Sequence, residues 1–221
     1  MHHLTTTRTA RYEQLGEASA TTRQLWLVLH GYGQLAEYFI RHFASTHALA
    51  PETTVIVAPE ALSRFYLSGT GGRVGASWMT SADRLAEIAD QHAYLNALLG
   101  QLRAAAPQAA VTVLGFSQGT ATAARWLAQL APAWRPQHLI LWAGDFPADA
   151  LPAPTLLPGL PVTLVTGKQD SYVNEAKMQQ QAAVLCTHGA QVSTALFEGK
   201  HTLHPPLLQQ LFSQSAVSNH Q

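Results

Sequence analysis

The stretch Gly115-Phe116-Ser117-Gln118-Gly119 constrains this chain more than any other. It follows an apolar, β-branched run, Ala110-Val111-Thr112-Val113-Leu114, and precedes a helical pattern of small residues, Thr120 to Leu127. Strand, G-x-S-x-G, helix is the context in which a serine sits on a tight turn with its hydroxyl clear of the sheet. Glycine at 115 and 119 suits such a turn, because a Cβ there would collide with neighbouring backbone. Gln118, next after the serine, sits where its backbone N–H points at a developing oxyanion. The bare pattern also describes a glycine-flanked turn with a surface serine; the flanking strand and helix favour the elbow.

The 221 residues suit one domain, spanning 1–221, that buries a full core. Charged residues are only 12%, about half the usual share, so Gln, Thr, Ser and His must supply the polar surface. Net charge is zero and the pI about 7.2, which argues against nucleic acid as a partner. So weakly charged a surface favours self-association, and a homodimer is a possible assembly. The single cysteine, Cys186, excludes an internal disulfide and lies in an apolar helical stretch, where a core position is expected. The sequence shows neither a signal-peptide pattern nor an apolar run long enough to span a membrane, and a cytoplasmic protein is expected.

Along the chain, residues 4–15 read as an edge strand. Leu25–Leu29 is a continuous apolar run, as in a central strand covered on both faces. A helix is expected over 35–49, closed by Pro51, then a buried strand at Val55–Ala58. Residues 60–80 read as an irregular loop rich in aromatics and glycines. A helix from 82 to 105 follows, with Ser81 as its N-cap. Beyond the elbow come strands at 139–143 and 162–166, separated by a proline-rich extended connection over 144–161. A helix over 174–188, a strand over 191–197 and a helix from Pro205–Pro206 complete the chain. Repeated strand–helix units predict a mainly parallel sheet with helices on both faces.

In such sheets the active site lies at the carboxyl ends of the strands. The loops leaving those ends carry His30-Gly31-Tyr32-Gly33, Ser117, Asp170 and His201. A serine hydroxyl needs a base to become a nucleophile near neutral pH. His201 suits that role because an imidazole titrates near working pH. Asp170 would fix the imidazole tautomer and stabilise the imidazolium. His204 is the rival base, but it immediately precedes Pro205 and reads as a helix opener. Asp145 is the rival acid, one strand earlier. His42, His47 and His92 read as solvated or capping residues. Two amide donors are needed for an oxyanion; the backbone N–H groups of Tyr32 and Gln118 are the candidates. No His/Cys spacing or H-E-x-x-H suggests a metal, and 69–75 lacks the G-K-[ST] of a phosphate loop.

With H-G-Y-G-Q at 30–34, G-F-S-Q-G at 115–119, G-K-Q-D-S-Y-V at 167–173 and F-E-G-K-H at 197–201, the chain resembles the phospholipase/carboxylesterase family of α/β-hydrolases, which includes the acyl-protein thioesterases. The similarity runs from about residue 24 to near the end. It implies an α/β-hydrolase without a large cap, no cofactor, and cleavage of carboxylic ester or thioester bonds. By position it gives Ser117, Asp170 and His201 the triad roles, and Tyr32 and Gln118 the oxyanion roles. Many members carry Asp where this chain has Gln34, and the stretch from Arg64 to Met79 is only loosely similar. The expected function is therefore hydrolysis of small-molecule acyl esters by a serine carboxylesterase, with Leu67, Trp78, Met79 and Tyr172 shaping an acyl pocket. Rival activities are thioesterase, lysophospholipase and small peptidase. The rival of another class is a catalytically silent fold used as a binding module.

Overall fold

The computed structural model describes residues 2–151 and 157–217. Its strands are β1 (Tyr12–Leu15), β2 (Gln24–Leu29), β3 (Thr54–Pro59), β4 (Ser63–Tyr66), β5 (Val74–Ser77), β6 (Ala110–Phe116), β7 (His138–Trp142), β8 (Pro161–Gly167) and β9 (Gln191–Phe197). The helices are α1 (Ala36–Phe39), α2 (Ala44–His47), α3 (Arg84–Ala105), α4 (Gln118–Leu127), α5 (Glu175–Thr187) and α6 (Pro205–Val217).

Seven strands form one sheet in the order β1-β3-β2-β6-β7-β8-β9. All pairings are parallel except β1 against β3. The continuous apolar runs resolve into two faces, because successive side chains of a strand point opposite ways. Leu25, Leu27 and Leu29 of β2 join Val111 and Val113 of β6 in a core closed by Leu95 and Leu99 of α3, Trp126 of α4 and Met178 of α5. Trp26 and Val28 join Leu114 and Ile140 in a second core, closed by Phe39 and Phe43 on one side and Leu208, Leu211 and Phe212 of α6 on the other. Helices thus cover both faces, as the apolar runs require.

The register aligns strand ends. Leu29 pairs with Gly115, Phe116 with Trp142, and Gly167 with Phe197. The loops after β2, β6, β8 and β9 therefore leave one edge of the sheet side by side. Residues as distant in sequence as Gly31 and His201 both lie against Ser117 there.

Four expectations need correction. The helix expected over 35–49 is broken into α1, a 3₁₀ turn over Ile40–Phe43, and α2. Its buried residues Ala36, Phe39, Ile40 and Phe43 keep the i, i+3, i+4, i+7 spacing that suggested one helix, so the apolar stripe is retained although the backbone tightens to 3₁₀ in the middle. Residues 63–77 are not irregular: β4 and β5 pair antiparallel around the glycine cluster at 69–72. Helix α3 is preceded by Asp83 in a left-handed conformation, without a side-chain cap, rather than by Ser81. Cys186 is exposed rather than in the core. Helix α5 buries only Met178 and Leu185, a narrow stripe that leaves Ala183, Val184 and Cys186 of the apolar run facing solvent. The proline-rich connection lies partly outside the described residues, as do residues 218–221; its described part includes a 3₁₀ turn at Ala148–Ala150.

Candidate active site

Ser117 occupies the turn between β6 and α4 with φ +53° and ψ −115°, a conformation that L residues adopt only when the surroundings enforce it. Its own N–H donates to the Trp142 carbonyl at 2.9 Å, and its carbonyl accepts from the Thr120 N–H at 3.1 Å and the Thr120 hydroxyl at 2.6 Å. The two glycines are obligatory. A Cβ on Gly115 would run into the backbone of Gly119, and one on Gly119 into the carbonyls of Leu29 and His30. The elbow is thus wedged against the end of β2.

Three distant side chains meet at this turn. His201, on the loop after β9, lies with Nε2 2.9 Å from Ser117 Oγ and Nδ1 2.8 Å from Asp170 Oδ2. The Asp170 side chain is fully buried, and its other oxygen accepts the N–H groups of Tyr172 at 2.8 Å and Val173 at 3.1 Å. The carboxylate is acceptor-only, so His201 Nδ1 carries hydrogen and Nε2 is free to accept the serine proton. The rivals lie elsewhere. His204 stacks on Phe197 and accepts from the Leu207 N–H at the start of α6. Asp145 pairs with Lys177 and accepts from Gln181. His92 is buried against Gln129 rather than solvated, and the half-buried His47 meets the Thr54 carbonyl.

The loop after β2 approaches from the other side. A Cβ on Gly31 would lie 3.1 Å from Ser117 Cβ. Gly33 N–H donates to the Ala76 carbonyl and Ala76 N–H to the Gln34 carbonyl, so the loop is stitched to β5. Among the described residues, neither the Tyr32 nor the Gln118 backbone N–H is engaged by another group. Beneath the loop, His30 is fully buried; its Nδ1–H donates to the Gly31 carbonyl at 2.8 Å and its Nε2 accepts the Ala61 N–H at 3.1 Å. Burial lowers its pKa to about 4, so it stands neutral under the loop.

The four residues expected to shape an acyl pocket part company. Leu67 is 42% exposed and borders a groove of about 680 Å³ with Gly33, Tyr38, Phe39 and Val74. Trp78 is buried: its ring lies 5.0 Å from that of His30 and its Nε1–H donates to the His30 carbonyl. It buttresses the loop from below and offers no surface to a substrate. Met79 is half-buried; its carbonyl accepts from the Gln118 side chain and its sulfur meets Arg125. Tyr172 lies over His201, ring centroids 4.7 Å apart. Two side-chain roles passed over by sequence reasoning emerge. Gln34 binds the Gly31 amide, and the Gln118 side chain holds 77–79; both are polar residues beside glycine-marked turns. Among the described residues, no group of three or more His, Cys, Asp or Glu is arranged to hold a metal, and no helix is long and apolar enough to cross a membrane.

A mostly parallel sheet with helices on both faces, an elbow serine, and an acid and a histidine on later loops define the α/β-hydrolase fold. Known structures agree. The chain is similar to the crystal structure of esterase PE8, at 24% identity over 95% of this chain and 99% of that one, with a TM-score of 0.74. Acyl-protein thioesterase 2 of Zea mays is 18% identical over 96% and 99%, TM-score 0.67. A phospholipase/carboxylesterase of Dyadobacter fermentans is 19% identical over 96% and 99%, TM-score 0.66. No curated protein sequence matches the chain. The sequence profile of the serine hydrolase (FSH1) family matches residues 20–205, and the chain belongs to that family.

Proposed function

We propose that this serine hydrolase is a carboxylesterase working through an acyl-enzyme. Ser117 Oγ attacks the ester carbonyl carbon while its proton passes to His201 Nε2. The charge on the carbonyl oxygen is received by the backbone N–H groups of Tyr32 and Gln118. Asp170 holds the imidazole and offsets its positive charge. The imidazolium then protonates the departing alkoxide as the C–O bond breaks. Water, deprotonated by His201, attacks the acyl carbonyl carbon; the bond to Ser117 Oγ breaks, the acid leaves, and His201 returns the proton to Ser117. The observation that carries this reading is the unbroken hydrogen-bond line from Ser117 through His201 to the buried Asp170, at 2.9 and 2.8 Å.

A fluorophosphonate probe tests it. Wild type is expected to label at a single residue and Ser117→Ala not at all. An unlabelled wild type, or equal labelling of Ser117→Ala, would favour a silent binding module instead. Ester substrate class is read by a panel of aryl esters and thioesters of graded acyl length. The panel is expected to favour oxygen esters; a marked preference for thioesters would move the assignment to acyl thioesterase.

A further inference from the structure

Two aromatic rings meet the His201 imidazole, one from the core and one from the solvent side. Phe116, buried at the end of β6, lies 5.1 Å away between centroids with planes tilted by 45°. Tyr172 lies 4.7 Å away, tilted by 55°. Both imidazole nitrogens are committed, to Ser117 and Asp170, so the rings compete for neither. Tyr172 is 71% exposed, yet it is not loosely held. The carboxylate that orients His201 also accepts the Tyr172 and Val173 amides, and the buried Val173 accepts the Thr166 hydroxyl through its carbonyl. One short loop thus fixes both the partner of the base and an aromatic ring against it.

That arrangement has a chemical consequence. The face of an aromatic ring is negative and attracts a cation within about 6 Å, and a neutral imidazole far less. In the catalytic cycle His201 becomes cationic when Ser117 surrenders its proton. An interaction gained at that moment raises kcat without tightening substrate binding.

We propose that Tyr172, backed by Phe116, is a positioning residue for the base, holding the imidazole toward Ser117 and favouring its cationic form during proton transfer. The inference rests on the hydrolase reading above. The proton moves from Ser117 Oγ to His201 Nε2 as the new C–O bond forms, and on to the leaving oxygen as the old one breaks; Tyr172 exchanges none. Among the described residues, the charged group in contact with the imidazole is the Asp170 carboxylate of the β8–α5 loop, which also carries the Tyr172 phenol. Strand β6 and its turn present only the uncharged Phe116 and Ser117. Lys200 adjoins His201 along the chain, and the Lys168–Glu198 ion pair belongs to the neighbouring loops.

The test compares Tyr172→Leu, which keeps apolar bulk without an aromatic face, with Tyr172→Phe, which keeps the face without the hydroxyl. Hydrolysis of p-nitrophenyl acetate is followed across about pH 5 to 9, the range in which an imidazole titrates. For Tyr172→Leu, kcat is expected to fall about three- to fivefold with KM little changed. The acid limb of kcat/KM should move about half a pH unit lower, since the cation has lost support. Tyr172→Phe should restore both limb and rate. Unfolding temperatures should match wild type, the ring being mostly exposed. A Leu variant with the wild-type profile, a Phe variant equally impaired, or a rate loss that tracks a lowered unfolding temperature would overturn the inference. If wild type instead neither turns over ester nor labels at Ser117, the hydrolase reading itself falls. Labelling retained with indifferent Tyr172 variants removes only this inference.

Discussion

The side-chain carbonyl of Gln34 accepts the backbone N–H of Gly31 at 2.7 Å, while the Gln34 N–H donates back to the Gly31 carbonyl at 3.2 Å. That same carbonyl takes the Nδ1–H of His30. Tyr32, whose amide we assign to the oxyanion, therefore sits inside a turn closed by Gln34 from above and His30 from below. Gln34 also borders the groove of about 680 Å³.

The turn and the groove make different demands, and a substitution at Gln34 separates them. Gln34→Met keeps length and apolar contact but removes the acceptor for the Gly31 amide. An unmet hydrogen bond of this kind costs about 1–3 kcal/mol. If the cost falls on the oxyanion turn, kcat for a p-nitrophenyl ester drops about tenfold with KM nearly constant, because the loss appears where charge develops. A raised KM with unchanged kcat in steady-state assays would instead make Gln34 a wall of the groove.

Two neutral histidines tie stability to pH. His30 is buried with both nitrogens matched as a neutral ring, and its pKa is lowered to about 4 by burial. His138, at the far end of the sheet, is likewise lowered to about 4 by burial. Ser215 gives its one hydrogen to the Leu211 carbonyl, so His138 Nδ1–H donates to Ser215 and Nε2 accepts from Thr163. The unfolded chain takes up these protons near pH 6.5, before the folded one does. Their contribution is therefore complete above about pH 6.5, shrinks as pH falls toward 4, and is gone below; for His30 it reaches about 3 kcal/mol. Urea midpoints should fall from about pH 7 to about pH 4.5, and less steeply in His138→Gln. An equally steep fall in that variant would show that His138 takes no part.

Much of this was legible beforehand for a physical reason. Buried parallel strands need apolar side chains on both faces, so Leu25–Leu29, Val55–Ala58 and Leu139–Ala143 announced themselves. Parallel pairing then gathers the following loops at one sheet edge, which brought Ser117, Asp170 and His201 within reach of inference from chain order alone. What escaped depends on tertiary contact. The β4–β5 hairpin has two four-residue strands whose alternation is weak, and it gains its place by pairing Ala76 with Gln34. Trp78 reads from the sequence as a pocket wall because a loop of glycines and aromatics often lines one. Only its hydrogen bond to the His30 carbonyl reveals a buttress. The orientation of Tyr172 follows from two amides bonding one carboxylate oxygen, which no periodicity reports.

Gln118 carries two duties that a single substitution can pull apart. In the proposed mechanism its backbone N–H receives the oxyanion, while its side chain clamps the end of β5: Nε2 donates to the Met79 carbonyl at 2.9 Å and to Ser77 Oγ at 3.1 Å, and Oε1 accepts the Trp78 N–H at 3.0 Å. Gln118→Glu preserves the backbone amide and the acceptor for Trp78. It sets a carboxylate oxygen against the Met79 carbonyl, two acceptors with no hydrogen between them. Losing that bond and facing the carbonyls should cost about 1–3 kcal/mol at neutral pH. Protonation of the new carboxyl supplies a donor again, so the deficit should narrow toward about pH 4, opposite in direction to the histidine effect. Denaturant titrations of wild type and variant at both pH values measure it. Because the oxyanion amide remains, fluorophosphonate should still label Ser117 fully, at a reduced rate. A variant as stable as wild type at neutral pH would mean that 77–79 is held by β4 pairing and Trp78 packing, without the clamp.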